Sequence, residues 1–551
     1  MRKEIADLLL EKDCIGNEQA AQLAQWDMFD QNTFAPFFDP EWMFGIKEGF
    51  DILIANPPYI STKGVSTADK KLFEAEFGFS DDTYNLFFFK GFSLLCEGGC
   101  ITYITPKTFW TTQTKRNLRD LLLANTLNYV FDTANPFEAV MVDTCITSAV
   151  KNKPAAENLV RFMDGRKSLL QPERLTVAQS VYLNTQNSVI FKPSELNMRI
   201  YELYGEKVKA LYDKWWDKIK TSREIEKNKR ELEEYRASLK PGDVALLGCL
   251  TEGGQGLATA NNGKYIAVRS TTKWAENIRV SRPKKLADFL ARTPKAITAE
   301  MRRYPSYVAF LQSLSEAEIA ELFDSLKEQY GRDIFGQGYL YKIVDDCEIA
   351  DVDSLTNDEK ENGIETTKPY YVPYDKGDKD GNRWYLETPF AIAWSKENVR
   401  FLKTNSGKKG EGMPVVRNPQ FYFREGFCWI DVNSTYLKAR IKANGVFDVL
   451  SMSLFTMTPL PDWYFVALIN SEFISLYVDN FINNTSHFQI NDARQLPIII
   501  PQKETFESLQ KLAADCISLK KVATTDDFLM GEKQYELNRL VRSLYGVEGF
   551  Y

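Results

Sequence analysis

Between residues 50 and 153 short apolar runs alternate with stretches whose apolar residues recur at helical spacing, the pattern of a parallel α/β sheet. Residues 50–55 form a strand that must stop at Asn56-Pro57-Pro58-Tyr59, because proline has no N–H to continue a ladder. Residues 81–96 read as a helix with an acidic start, halted by Glu97-Gly98-Gly99. A strand over 100–105, a helix over 115–125 and a strand over 127–131 come next, and 142–151 completes the sheet within an antiparallel edge pair. From 194 to 240 Leu, Ile, Tyr and Trp recur among many charges, which predicts a helical connector with a solvated face. From 244 to 501 short β-like runs alternate with Gly and Asn turns. A helical insert over 284–330 interrupts them, and an acidic, Gly- and Lys-containing stretch over 351–382 reads as an exposed loop. Residues 503–545 are again helical, so the pattern divides the chain at 1–155, 156–243, 244–501 and 502–551.

Composition narrows the chemistry more than the fold. The balance of 44% hydrophobic and 26% charged residues is that of a globular protein and excludes a disordered or collagen-like chain. A single histidine, His487, excludes chemistry needing two imidazoles, such as an HExxH zinc protease, and leaves that residue a structural or nucleic-acid-proximal role. With a net charge of -7, any nucleic-acid surface must be a local basic patch. The 8 cysteines contain no CxxC pair and read as reduced thiols of a cytoplasmic protein, without a disulfide framework or a metal site. Apolar runs such as Leu496-Pro497-Ile498-Ile499-Ile500-Pro501 are too short to span a bilayer, and the first residues lack an apolar signal core, so no membrane partner is expected.

The candidate chemistry sits at the end of the first strand. In open α/β sheets ligands bind beyond the carboxyl ends of strands, which places Asn56-Pro57-Pro58-Tyr59 on the rim of a site. The Asn56 side-chain carbonyl and the Pro57 backbone carbonyl can both accept from one NH2 group, drawing its lone pair out of conjugation and toward an electrophile. Two prolines stiffen the loop, and Tyr59 offers a flat face on which a base taken out of a helix can stack. A proline-rich turn without function is the competing reading.

The surroundings extend the pattern. They include Phe38-Asp39-Pro40-Glu41-Trp42-Met43-Phe44 leading to residues 49–59, then Tyr84-Asn85-Leu86, and Gly98-Gly99-Cys100-Ile101-Thr102-Tyr103-Ile104-Thr105-Pro106. Asn135-Pro136-Phe137 and Val142-Asp143-Thr144 complete the set. In these motifs the chain resembles the N6-adenine DNA methyltransferases of the Asn-Pro-Pro-Tyr type, and among them the large methylases of type IIG restriction-modification systems. The resemblance implies an α/β fold: an incomplete Rossmann-like methyltransferase sheet over 1–155, a helical connector, an α+β target-recognition domain over 244–501 and a helical tail. It implies in-line transfer of a methyl group from S-adenosyl-L-methionine to adenine N6 in double-stranded DNA, with no covalent enzyme intermediate. Asn56, Pro57, Pro58 and Tyr59 would be catalytic, and Phe137 would hold the flipped adenine opposite Tyr59 or else simply fill the core. Asp51 reads as a strand-edge carboxylate without catalytic duty.

The family's Gly-rich FxGxG cofactor turn has no counterpart among the residues before the motif. Asp333-Ile334-Phe335-Gly336-Gln337-Gly338 is no substitute, because residues 339–344 continue as β-like sequence where a cofactor turn must open into a helix. Gly253-Gly254-Gln255-Gly256 precedes no helix either, and no nuclease cluster of carboxylates and lysine is evident. Cofactor-binding residues therefore stay unassigned. The chain reads as the C-terminal part of a longer enzyme, its first strand left with an apolar edge, and a missing N-terminal segment or a partner subunit is expected to complete the sheet.

The 244–501 region resembles the target-recognition domains of the same enzymes. Residues 269–303 hold ten basic against three acidic side chains. Arg269, Lys273, Arg279, Arg282, Lys284 and Lys285 among them are candidates for phosphate contact, with a solvated helix face as the plain alternative. Lys403, Lys408, Lys409 and Arg417 form a looser second group. Two other functions stay open: a DNA-binding specificity module without catalysis, and methylation of a protein glutamine amide, which uses the same tetrapeptide.

Overall fold

The computed structural model describes every residue except 1, 13–14, 26–40, 42–44, 138–141, 222–223, 332, 336–340, 379–380, 433–435, 443, 523–530 and 551. Phe38-Asp39-Pro40, Trp42-Met43-Phe44 and Gly336-Gln337-Gly338 therefore lie outside the described residues. The chain forms two compact units, Met1–Glu206 and Lys207–Tyr551.

The first unit is built on six strands: β1 (Phe50–Ala55), β2 (Leu95–Pro106), β3 (Thr126–Ala134), β4 (Thr144–Val150), β5 (Leu159–Asp164) and β6 (Glu173–Ala178). Their order is β1-β2-β4-β3-β5-β6. β1, β2, β3 and β5 are parallel to one another, with β4 and β6 running against them. The carboxyl ends of four strands thus share one rim.

One face of β2 buries Ile101, Tyr103 and Thr105, and the helix Thr83–Leu94 lies against it. Gly91 permits that close approach: a Cβ there would come within 2.5 Å of Ile101 Cδ1 and 2.7 Å of the Tyr103 hydroxyl. The other face is more open. Cys100, Thr102 and Ile104 are half-buried there, and the β1 partners of the first two, Ile52 and Ile54, are 65% and 78% exposed. Among the described residues β1 pairs with β2 alone, so it forms the edge of the sheet.

The structure corrects two boundaries. β4 belongs to no edge pair but lies between β2 and β3, and its short side chains Thr147, Ser148 and Ala149 are buried on both faces, as an interior strand requires. The sheet also runs past residue 155, because Leu159 to Asp164 alternates exposed and buried positions and pairs with β3. Residues 156–206 close the first unit; the helical stretch read from 194 begins there, with Glu195–Ile200 capped by the Ser194 side chain, and continues through Tyr201–Gly205 into the helix Glu206–Thr221.

In the second unit Trp215 of the connector stacks on Tyr235 of the helix Glu226–Ser238, with centroids 4.6 Å apart. A two-stranded pair, β7 (Val244–Leu246) with β17 (Pro497–Ile499), joins segments distant in sequence. A four-stranded sheet holds β8 (Thr251–Gly254), β13 (Gly426–Trp429), β14 (Ala439–Lys442) and β16 (Met452–Thr456). A five-stranded sheet holds β9 (Ile266–Arg269), β10 (Lys342–Val344), β11 (Tyr371–Asp375), β12 (Phe390–Ala393) and β15 (Val446–Phe447). The Gly253–Gly256 cluster ends β8 inside an antiparallel ladder and opens no helix.

The helical insert is larger than its pattern suggests. It starts with Lys273–Arg292, capped by the Thr272 side chain, and carries Pro283 inside the helix. With Tyr307–Ser313 and Glu316–Tyr330 it encloses its own core, in which Phe335 stacks on Phe323 at 4.1 Å. The acidic 351–382 stretch is no exposed loop throughout. Tyr371, Val372 and Tyr374 of β11 are core residues, and the buried Asp375 is matched by Arg440 at 2.6 Å. No helix among the described residues is long and apolar enough to cross a membrane.

Candidate active site

At the end of β1 the chain leaves the ladder at Asn56, whose position before a proline favours extended backbone. Pro57 is buried, while Asn56 and Pro58 are exposed. Among the described residues neither the Asn56 side chain nor the Pro57 carbonyl has a hydrogen-bond partner, so both acceptors stand open on the rim.

The next residues, 58–62, are clipped from three sides. The Tyr59 hydroxyl donates to the Ile104 carbonyl near the end of β2 at 3.0 Å, and burial, with a smaller push from Cys145, raises that phenol above its ordinary range. Thr83 Oγ donates to the Pro58 carbonyl at 2.5 Å and accepts from Ile60 N–H at 3.0 Å. Thr62 donates from its backbone and its hydroxyl to one oxygen of Asp82, at 2.8 and 3.0 Å.

Asp82 leads in turn to a buried cation. Lys115 Nζ lies 2.7 Å from the second Asp82 oxygen and also pairs with Asp81, which accepts from Asn85 Nδ2 at 2.5 Å. Burial raises the Asp82 carboxyl, but the Lys115 ammonium and the Thr62 donors outweigh it and hold the group below the usual carboxylate range. The tetrapeptide is therefore fixed to the start of one helix and, through Lys115, to the segment that begins the next.

The Thr83 clip gives a direct test. Thr83→Val is expected to cost about 1–3 kcal/mol, since the Pro58 carbonyl and Ile60 N–H both lose their partner. Urea denaturation would read the loss and hydrogen exchange would show a faster Ile60 amide, whereas Thr83→Ser should restore both.

A second rim cluster lies after β2. Lys107 Nζ is 2.9 Å from Asp143 and 3.3 Å from the buried Asp132 of β3. Burial lowers the Lys107 ammonium, yet the two carboxylates more than compensate and its pKa is raised. Lys107 N–H also donates to the Asp143 carbonyl at 3.0 Å, and Ala134 N–H to Asp132 at 2.9 Å. These bonds flank the β3–β4 loop that carries Phe137, a half-buried residue whose N–H donates to Asn135 Oδ1 at 3.2 Å. Phe137 thus leaves the same rim as Tyr59, three strand spacings or about 14 Å along it.

Neither Lys115 nor Lys107 stands out in the sequence. Their partners lie in distant segments, and only the Asp81-Asp82-Thr83 run before a helix gives a local sign, that of an N-terminal cap.

The basic run in the second unit is largely engaged. Arg282 is buried and donates to the Tyr341 carbonyl, which removes it from any phosphate surface. Arg269 pairs with Asp346 at 3.0 Å and Glu387 at 2.7 Å, and Arg279 with Glu316 at 2.9 Å. Lys285 donates to the Phe335 carbonyl at 2.8 Å. Lys273 and Lys284 are exposed on one helix. His487 is exposed, with Nδ1 3.0 Å from Asp431. No group of three metal-ligating side chains occurs among the described residues.

Comparison with known proteins bears on the first unit above all. Residues 2–137 match the family model described as Eco57I restriction-modification methylase. A Methanocaldococcus jannaschii protein named as a type II restriction enzyme and methyltransferase, RM.MjaORFECS2P, is 29% identical over 116 residues, 21% of this chain and 10% of its own. The type II methyltransferase M.HincII of Haemophilus influenzae is 21% identical over 182 residues, 30% of this chain and 36% of its own. Among solved structures, the type IIL restriction-modification enzyme MmeI in complex with DNA aligns over 90% of this chain and 54% of its own, at 10% identity and a TM-score of 0.45. The chain thus spans about a tenth and about a third of the two curated relatives.

Proposed function

We propose that the first unit methylates the exocyclic amine of adenine in double-stranded DNA, with S-adenosyl-L-methionine as donor, as a component of a restriction-modification system. The observation that carries this reading is the pair of open acceptors, Asn56 Oδ1 and the Pro57 carbonyl, held on the rim by Thr83 and Tyr59. Two acceptors take both protons of one NH2 group in hydrogen bonds and leave its lone pair directed at an electrophile. Tyr59, and Phe137 across the rim, supply the faces between which a flipped base stacks. The second unit selects the DNA site, with Lys273 and Lys284 contacting phosphates; Arg269, Arg279 and Lys285 would join them only by giving up their present partners.

On this reading the donor side is completed by a further segment or polypeptide. Among the described residues no Gly-rich turn opens into a helix beside β1, so these residues form a cradle for the amine and the residues that hold S-adenosyl-L-methionine stay unassigned. The edge of β1, with Ile52 and Ile54 beside it, is assigned to a preceding segment or partner subunit that adds a strand and covers this face.

The test supplies tritiated S-adenosyl-L-methionine, duplex DNA and the polypeptide encoded immediately upstream. Label in adenine supports the reading. Label in a protein glutamine, or DNA binding without label under any pairing, replaces it with one of the two alternatives. Ile52→Lys with Ile54→Lys is expected to leave the chain folded, because both side chains already face solvent, but to abolish co-purification with the completing polypeptide and with it the label.

A further inference from the structure

The turn between β5 and β6 carries two leucines that folding leaves in water. Leu169 is 44% exposed and Leu170 95%, in a segment exposed throughout residues 166–171 and led by Arg166 and Lys167. Single exposed leucines are unremarkable on protein surfaces. What sets this pair apart is the bracing beneath it and the rim from which it projects.

The base of the hairpin is rigid. Asp164 and Glu173 face one another in register, a like-charge pair that would splay the strands. Lys192 Nζ bridges them at 2.7 and 2.6 Å, and Arg166 grips Asp164 with a second cation at 2.6 Å. Gly165 N–H donates to the Asp132 carbonyl at 2.8 Å, and a Cβ on Gly165 would come within 2.6 Å of the Phe131 ring. The turn is thus held down on β3, with Leu169 Cδ2 folded back toward Gly165, where a Cβ would meet it at 3.0 Å, and Leu170 projecting beyond it 95% exposed.

Because β5 is parallel to β1, the tip leaves the same rim as Asn56, Tyr59 and Phe137. It stands four strand spacings from β1, about 19 Å. That is about half a turn of B-form DNA, whose full turn is about 34–36 Å. A duplex lying along the rim with its target base at Tyr59 would present its other groove to the hairpin. Apolar side chains among basic ones on a rigid turn are the chemistry by which proteins wedge between base steps.

We propose that Leu169 and Leu170 form a wedge that enters double-stranded DNA about half a helical turn from the base held at Asn56–Tyr59. The proposal rests on reading the rim as a DNA-methylating site. Arg166 is committed to Asp164, so the wedge acts chiefly through apolar contact, with Lys167 as the single phosphate contact of the tip.

The experiment compares the full wild-type chain, together with its completing polypeptide, against Leu169→Ala/Leu170→Ala and Lys167→Ala. Affinity for a pool of random-sequence duplexes is measured by fluorescence anisotropy across a salt series. The leucine variant is expected to melt with wild type and to bind about tenfold more weakly with an unchanged salt slope. Lys167→Ala should flatten that slope by about one phosphate contact. A photo-crosslinking residue at position 170 should attach to DNA. If wild type binds DNA and labels adenine while the leucine variant binds within twofold of it, the wedge is wrong and the methylation reading stands. The wedge is equally wrong if position 170 crosslinks to the completing polypeptide. A wild-type assembly that binds no DNA overturns both.

Discussion

On the proposed function, Asn56→Ala is expected to remove methyl transfer to DNA and to leave the fold intact. Asn56 is exposed and its side chain holds nothing in place, so the substitution should change stability by no more than about 0.5 kcal/mol. The rate should fall by at least about 10²–10³, the cost of deleting one preorganised hydrogen-bonding group at the reacting atom. The alanine variant keeps the Pro57 carbonyl, and one acceptor can bind the amine without pinning both protons, so binding of DNA is expected to survive. Single-turnover incorporation of tritium, beside anisotropy with the same duplex, separates the two effects. Equal loss of binding and transfer would assign Asn56 to ordinary substrate affinity instead.

Lys115→Met should be the most damaging single change to the stability of the first unit. The lysine side chain is 8% exposed, and the Asp81 and Asp82 carboxylates it joins are 14% and 25% exposed. Breaking a buried pair by removing one partner costs about 3–5 kcal/mol, and the partial exposure of both carboxylates together with the Thr62 donors to Asp82 sets the loss at the lower end of that range. The pH dependence carries the sign. Asp82 is depressed in the folded state, so its contribution is fully present above the unfolded carboxylate pKa of about 3.9 and is lost as pH falls through the lower folded value. The methionine variant lacks that contribution and leaves the carboxyl to the raising effect of burial. Its deficit against wild type should be largest near neutrality and shrink toward pH 4, as urea denaturation at both values would show. A deficit independent of pH would point to lost packing over the Tyr84 ring, 5.5 Å from the ammonium.

Much of the rim is legible in the sequence because its signals are local. A run of four apolar residues ended by two prolines can hardly be anything but a strand leaving a sheet, and β1 has the predicted bounds. The helix after Asp82 is legible from the same short range, but Glu97-Gly98-Gly99 does not end it: the helix closes at Leu94 and β2 begins at Leu95 and runs through both glycines, five residues before the strand read over 100–105. The features that escape depend on partners far along the chain. The interior place of β4 is set by β2 and β3, and nothing in residues 144–150 says on which side they lie. Lys115 looks like any basic residue at a helix start until Asp81 and Asp82, more than thirty positions earlier, are placed around it. Charge misleads in the second unit for the same reason. Asp375 sits in an acidic stretch yet is buried against Arg440, and Arg282 belongs to a basic run yet serves the Tyr341 carbonyl. Pro283 has the local look of a helix boundary, but its helix runs through it.

The edge of β1 has a consequence for how much of this protein a cell can make. A row of backbone donors and acceptors carries no identity, so a strand that accepts a complementary chain will also accept another copy of itself. Ile52 and Ile54 make the mistake adhesive, since they lend apolar area to whichever chain arrives first. Chains made in excess of their complement would have only each other to pair with. If a second polypeptide completes the sheet, as proposed, dosage becomes a structural variable: balanced synthesis of the two chains would do for this sheet what a covalent linker between them would do.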